Sequence, residues 1–307
     1  MLQNMIVVAG QVLMLFLMIG VGWFCARKKI LSAEGADQLS RISLNIVTPC
    51  VVINSLQRER DPELLKDLLM CIGIGIVTIG LGMLLSGLLF RQSPSADRRV
   101  LRFAMSYPNS GYMGIPLVQA VLGDKAVLYA VGFVIAFNLM LWTAGVCLMG
   151  DKKDASFKKA VLNPGTVSFA IGIALFALNI RLAGPIGGAV TMFADLNTPV
   201  AMLAIGIFVA STKLSDCFLG WKKYGVCALR MILMPAIMMG LMMLLHLKTD
   251  MATALIICAS APTAAVTSMF AARYRLNTAL ASQMVTLCTL LSILTMPIFA
   301  ALARQWI

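Results

Sequence analysis

The sequence predicts an all-α polytopic membrane protein, and its composition and the spacing of its apolar runs carry that prediction. Of the 307 residues, 60% are apolar and only 12% are charged, with a mean hydropathy of +0.90. A soluble domain is closer to half apolar and about a quarter charged, so this excess does not fit inside one water-soluble core. The composition therefore excludes a soluble or secreted protein and makes membrane lipid the surrounding partner.

Ten apolar runs, each bounded by charged residues, Gly or Pro, predict ten transmembrane helices, because a helix needs about 20 apolar residues to cross a bilayer. The strands of a transmembrane β-barrel would be shorter and would alternate in hydropathy, so the apolar runs are interpreted as helices. The predicted spans, numbered one to ten in chain order, are 5–26, 36–56, 64–90, 101–122, 125–149, 161–180, 188–212, 223–245, 252–272 and 278–302.

The basic residues of the chain predict its orientation. The net charge is +12, and most of the 25 Lys and Arg residues lie in loops that follow odd-numbered spans. Because positive charge is retained on the cytoplasmic side, these loops are predicted to be cytoplasmic and both termini extracytoplasmic. The positive charge is thus a topology signal, and no nucleic-acid partner is needed to explain it.

Proline-containing positions occur in the same order in the two halves of the chain. Thr48-Pro49 in span two recurs as Thr198-Pro199 in span seven, and Pro108 in span four corresponds to Pro262 in span nine. Because each half has five spans, the second half is inverted relative to the first, an arrangement typical of transporters. The predicted units are a first five-helix repeat over 1–150, a cytoplasmic linker over 151–160 and a second repeat over 161–307.

The middle of span four is predicted to interrupt its helix. Pro108 removes a backbone donor and clashes with the preceding turn. Asn109, Ser110 and Gly111 follow it directly, and all three favour turns over the interior of a helix. A new half-helix is therefore expected to begin at mid-membrane.

Span nine repeats this pattern at Pro262 and Thr263, so inverted repeats would make broken helices four and nine cross near the midplane. Half-helix N-termini carry unpaired N–H groups and a partial positive charge. Two such helix ends that face one point are expected to bind a carboxylate. A pair of packing kinks, which are common in membrane helices, is the alternative interpretation.

Other polar residues within the spans are further candidates. Asp195 is the coupling-ion candidate, since it could carry a proton or help to hold Na⁺; the alternative is an interfacial carboxylate at the outer surface. Asn45 occupies the matching place in the first repeat, and Asn138 in span five can face the crossover. Arg230 either snorkels from span eight to the cytoplasmic surface or pairs with an anionic substrate.

Enzyme motifs are absent from the sequence, which has no H-E-x-x-H, no nucleophile elbow and no acid pair within the spans. P-loop and dinucleotide fingerprints are absent too, so transport would be secondary rather than driven by ATP. The 22 methionines are interpreted as packing residues rather than a metal pathway. No catalytic residue, cofactor or metal is predicted.

The fourth-helix motif of the auxin efflux carrier family resembles the run Pro108-Asn-Ser-Gly-Tyr-Met-Gly-Ile-Pro116. Pro199–Gly206 in span seven and the run from Ala281 to Pro297 also look like that family. The short central linker makes the chain more similar to the prokaryotic members, which include malate and malonate permeases. The resemblance therefore implies a multi-pass protein of the prokaryotic inner membrane.

The same resemblance implies a scaffold of helices one, two, six and seven and a mobile unit made of the other helices. The substrate would lie beside the crossing of helices four and nine, where the asparagine matching Asn109 contacts it. A second copy of the chain, forming a homodimer, is a candidate partner. The candidate substrate-binding residues are Asn109, Ser110, Pro108, Pro262, Thr263, Asn138 and Asn45.

Together these observations predict a secondary active transporter that moves a small organic anion, a carboxylate, by an elevator-type alternating-access mechanism. Coupling to H⁺ or Na⁺ is expected. A passive anion channel is the alternative.

Overall fold

Every predicted apolar run forms helix in the computed structural model, which describes residues 2–58, 62–92, 94–150, 158 and 161–306. The predicted all-α architecture is confirmed for these residues, among which no extended strand is found. The 151–160 linker lies outside the described residues except for Lys158.

In the first half, several apolar runs are divided into shorter helices near proline or glycine. The helices are α1 (Leu2–Arg27), α2 (Ala33–Ile42), α3 (Thr48–Ser55), α4 (Pro62–Leu89), α5 (Ser95–Ser106), α6 (Ile115–Leu122), α7 (Val127–Met140) and α8 (Val146–Met149). Short π-helical turns lie between successive helices at Ser43–Val47, Ser110–Gly114 and Leu141–Gly145.

The second half follows the same order. Its helices are α9 (Pro164–Ala177), α10 (Gly184–Asp195), α11 (Asn197–Ser211), α12 (Leu214–Cys217), α13 (Trp221–Ala228), α14 (Met234–Leu245), α15 (Thr249–Ser260), α16 (Val266–Arg273) and α17 (Thr278–Trp306). A π-helical turn, Leu229–Leu233, joins α13 to α14.

Five stretches of the described chain are long and apolar enough to cross a membrane. They are Glu63–Leu89, Asp124–Met149, Gly184–Ser211, Trp221–Leu245 and Thr278–Trp306. Shorter apolar stretches of helix accompany them. These are Leu13–Arg27, Ser110–Leu122, Pro164–Ala177 and Thr249–Ser260.

Helices α1 and α11 approach so closely that only glycine fits at their contact. A Cβ on Gly206 would collide with the carbonyl oxygen of Ile19, and a Cβ on Gly22 would collide with that of Leu203. Small residues bring membrane helices into contact because dispersion between backbones replaces the hydrophobic effect that lipid does not supply. This contact joins the first helix of the chain to a helix of the second half.

A second close contact joins α4 to α7. A Cβ on Gly75 would lie 2.7 Å from the Cβ of Ala136, and one on Gly132 would lie 2.7 Å from the Cβ of Cys71. Glycines therefore allow close packing of α4 against α7, as they do for α1 against α11.

Helices α5 and α15 both end because a proline follows. Pro108 and Pro262 cannot donate a backbone hydrogen bond, and each restricts the residue before it to extended backbone. Tyr107 has φ −105° and ψ 105°, and Ala261 has φ −58° and ψ 145°, as this restriction requires. The predicted breaks in spans four and nine are therefore present.

Candidate functional site

The two broken helices meet at their extended segments. The backbone N–H of Asn109 donates to the carbonyl oxygen of Pro262 at 2.7 Å, and the N–H of Ala264 donates to that of Tyr107 at 3.0 Å. These two bonds form an isolated antiparallel β-bridge. Because buried backbone groups need partners, each break satisfies the groups that the other exposes.

A cavity of about 430 Å³ lies beside this crossover and will be called the crossover cavity. Its walls come from α2, α3, α7, α11, the start of α9 and both breaks. Its polar side chains include Ser40, Asn45, Thr48, Asn109, Asn138, Asn163 and Arg273. Its aromatic side chains are Tyr112, Phe137, Trp142, Phe208 and Phe270. Polar donors set among apolar walls are typical of a site for a small organic molecule.

The first residues of both restarting half-helices line this one cavity. From the break in span four these are Asn109, Gly111 and Tyr112, and from the break in span nine Ala264, Ala265 and Val266. The first turns of a helix have N–H groups without an intrahelical partner and carry a partial positive charge. The cavity therefore receives two positive helix ends.

Asn109 lies at the junction of the crossover and the cavity. It is only 6% exposed, and it precedes the first turn after the break without capping it through its side chain. Its backbone carbonyl accepts from the N–H groups of Met113 and Gly114. No protein partner of its side-chain amide is found in the described part of the chain, so that amide is available to a ligand.

The other predicted asparagines also line the crossover cavity. Asn138 is half-buried in α7. Asn45 is exposed, and its amide donates to the carbonyl oxygen of Arg41 at 2.7 Å. Pro108 lines the cavity as well. Four of the seven candidate substrate-binding residues are thus brought together around one space.

The remaining three candidates are buried at the crossover but do not line the cavity. The hydroxyl of Thr263 donates to the carbonyl oxygen of Ala104 at 2.9 Å, so it binds the end of α5 instead. Pro262 contributes its carbonyl oxygen to the bridge. The Ser110 hydroxyl is buried without a partner among the described residues. Of the polar residues at the two breaks, Asn109 lines the cavity and Thr263 does not.

Arg273, at the end of α16, lines the cavity, whereas in the sequence it is one of the loop cations that indicate membrane topology. Its guanidinium lies 5.6 Å from the centroid of the Tyr274 ring. Asn163 is a second residue that sequence reasoning missed; it lines the cavity and caps the start of α9. Arg273 could have been recognised as a site residue from the sequence, because it ends the short helix that follows the break in span nine.

Asp195 lies apart from the crossover cavity. It is exposed and lines a different cavity of about 890 Å³, which will be called the outer cavity. The outer cavity also contains Arg58, Lys125, Arg181 and Asp124. Asn45, the residue matched to Asp195 between the two halves, is in the crossover cavity instead.

The prediction that Arg230 snorkels to the surface is wrong. Its side chain is 0% exposed, and one guanidinium nitrogen donates to the carbonyl oxygen of Ala259 at 3.0 Å. Hydropathy does not separate a helix face toward lipid from one toward an apolar protein interior, which is why the sequence pattern misled. Arg230 does not line the crossover cavity either.

A bundle of apolar helices with two breaks hydrogen-bonded to one another defines a multi-pass helical membrane protein. The profile of the family described as membrane transport protein matches residues 7–157 and 151–300. The chain belongs to this family, and the resemblance to auxin efflux carriers is confirmed. Its relatives are named as transporters rather than enzymes.

Three relatives illustrate the match. An uncharacterised transporter of Methanothermobacter thermautotrophicus is 24% identical over 94% of this chain and 96% of its own length. The uncharacterised transporter YfdV of Escherichia coli (strain K12) is 20% identical over 96% of this chain and 97% of its own. A candidate malonate transporter of Rhizobium meliloti (strain 1021) is 24% identical over 66% of this chain and 67% of its own.

Proposed function

We propose that this membrane transport protein is a secondary active transporter of a small organic anion that binds in the crossover cavity through its carboxylate. The observation that carries the proposal is that the first residues of two restarting half-helices line the same cavity. Two positive helix ends, the free amide of Asn109 and the guanidinium of Arg273 together favour an anion. The name of the Rhizobium relative supports a carboxylate as the substrate class.

The proposed architecture has ten transmembrane helices in two inverted five-helix repeats. The contact of α1 with α11 and the packing of α3 against α9 and α10 support a scaffold made of helices one, two, six and seven. The contacts of α4 with α7 and of α15 with α17 support a second unit that moves as one body. The crossover cavity lies where residues of both units meet, as an elevator-type alternating-access mechanism requires.

In the proposed orientation the crossover cavity opens to the cytoplasm. Asn163 follows the basic 151–160 region, and Arg273 ends a helix at a predicted cytoplasmic loop; both line the cavity. The outer cavity then faces the other side, and both termini are extracytoplasmic. On this assignment the conformation is inward-facing, and the protein resides in the prokaryotic inner membrane.

Coupling to an ion gradient is part of the proposal, with a proton on Asp195 as the coupling ion. Asp195 and Asp124 are the carboxylates of the outer cavity. Asp124 accepts a hydrogen bond from the amide of Gln119 at 2.9 Å, so Asp195 is the better candidate for the coupling residue.

Flux into liposomes distinguishes the proposed carrier from a passive anion channel. We expect uptake of labelled malonate to saturate with concentration and to be accelerated by unlabelled malonate inside the vesicle, because a carrier exchanges its substrate. A rate that rises linearly with concentration, without counterflow, would support the channel. Empty liposomes and liposomes carrying the Asn109→Ala variant are the controls.

A further inference from the structure

Arg230 is a fixed charge inside the protein that the proposed substrate site does not use. It lies in the π-helical turn Leu229–Leu233 and is completely buried. Two of its guanidinium nitrogens, Nε and Nη1, have no hydrogen-bond partner among the described residues. No carboxylate within the described ranges forms an ion pair with it. A buried charge of this kind is costly unless something compensates for it.

The compensating group is the C-terminal end of half-helix α15. The last four carbonyls of a helix lack intrahelical partners and carry a partial negative charge. In α15 the carbonyl of Ile257 accepts from the Ser260 hydroxyl and that of Cys258 from the Ala261 N–H. The carbonyl of Ala259 accepts from Arg230. The guanidinium is therefore the cation at this negative helix end.

The opposite half-helix, α5, ends with neutral partners. The carbonyl of Phe103 accepts from the Tyr107 N–H at 3.0 Å, and that of Ala104 accepts from the Thr263 hydroxyl at 2.9 Å. Among the described residues, only one of the two C-terminal ends at the crossover thus receives a full positive charge. Carriers with broken helices commonly hold a coupling Na⁺ at such half-helix ends and at the unwound carbonyls beside them.

We propose that the guanidinium of Arg230 is a built-in cation that occupies the position a coupling Na⁺ would take at the crossover. The crossover then needs no bound Na⁺ to keep its shape or to receive an anion. This inference rests on the proposed function in that it assigns the ion requirement of the same site. It agrees with a proton as the coupling ion.

The test measures thermal unfolding of the purified full-length protein without substrate, in NaCl, KCl or choline chloride at equal ionic strength. We expect the Tm of the parent protein to be the same in all three salts. Arg230→Met keeps the volume and removes the charge, so it should have a lower Tm in choline chloride. Addition of Na⁺ should raise that Tm by about 3 °C or more, and millimolar methylguanidinium should do the same for Arg230→Ala, which leaves a cavity.

Two further variants make the test specific. Arg230→Lys keeps a cation at the position, so its Tm should be insensitive to Na⁺, as in the parent. Met231→Ala leaves a cavity at a buried neighbour in the same turn and should not respond to methylguanidinium. A parent protein whose Tm rises in Na⁺ relative to choline would overturn the proposal, even if Arg230→Met does not fold. An Arg230→Met variant that is stable and insensitive to every cation would overturn it as well.

The readout separates this inference from the proposed function, because no substrate is present in the unfolding experiment. Failure of the parent protein to bind any carboxylate, with the cation responses as expected, would reject the substrate assignment and leave Arg230 as the built-in cation. Carboxylate binding together with Na⁺ stabilisation of the parent would reject Arg230 as the built-in cation and leave the substrate assignment in place.

Discussion

The backbone N–H of Asn109 donates to the carbonyl oxygen of Pro262 at 2.7 Å, across a separation of about half the chain. Within a regular helix, neither backbone group would be free to form this bond. Pro108 ends the helix that precedes Asn109, and Pro262 itself ends α15. The bond holds the two breaks together and leaves the Asn109 side chain to face the crossover cavity. The proposed substrate site is thus a consequence of how two broken helices satisfy their backbones.

The glycine contact between α1 and α11 gives a prediction about stability. In Gly206→Ala the new Cβ would meet the carbonyl oxygen of Ile19, and backbone atoms cannot move aside as a side chain can. We expect a loss of about 1–3 kcal/mol, or a fall in Tm of about 2–4 °C per kcal/mol. Gly20→Ala on the same helix pair is the control, since its Cβ would have nothing within 4 Å. Equal Tm values for the two variants would show that the contact is not tight.

The predicted sidedness is checked by labelling single cysteines in a cysteine-free background. Ser95→Cys should react with an impermeant maleimide only after the cytoplasmic side is opened. Lys125→Cys should react in intact cells, because it lies at the start of a span predicted to begin outside. Both positions are exposed in the structure, so access to the reagent depends on the membrane alone. Labelling of both from the same side would contradict the predicted crossing of span four.

The role of Asp195 is tested by Asp195→Asn, which cannot take up or release a proton. We expect the variant to bind substrate normally and to lose the acceleration of transport by an imposed pH gradient. Asp124→Asn is the matched control, because Asp124 lines the same outer cavity and should keep the acceleration. Unchanged gradient dependence in Asp195→Asn would make this residue an interfacial carboxylate, as the alternative interpretation of the sequence holds.

Arg273 should contribute modestly to affinity because it is exposed at the edge of the cavity. Exposed charge pairs are worth about 0.2–1 kcal/mol, so Arg273→Gln should weaken carboxylate binding by about 1.4-fold to fivefold. The loss should shrink at high salt, since screening weakens the same interaction in the parent. Arg275→Gln, outside the cavity, should bind like the parent. An Arg273→Gln affinity equal to that of the parent at low salt would remove Arg273 from the site.

The sequence predicted the helices and their breaks because proline acts locally. Pro108 and Pro262 stop α5 and α15 by removing a donor and restricting the preceding residue, and both effects can be read from neighbours in the chain. The direction of the Thr263 hydroxyl could not be predicted, because its acceptor on Ala104 is distant in sequence. Arg230 was misread for the same reason, since its partner, Ala259, belongs to another helix.

The central claim is that the crossover cavity binds a carboxylate through Asn109, and calorimetric titration of the purified protein with malonate and a panel of other carboxylates tests it most directly. A buried hydrogen bond to a charged group is worth about 1.5–3 kcal/mol, so Asn109→Ala should lower affinity by about tenfold to hundredfold without changing the Tm. Asn109→Asp should bind more weakly still, and Asn54→Ala, in the outer cavity, should bind like the parent. An Asn109→Ala variant with the parent's affinity, for a carboxylate that the parent binds, would contradict the account.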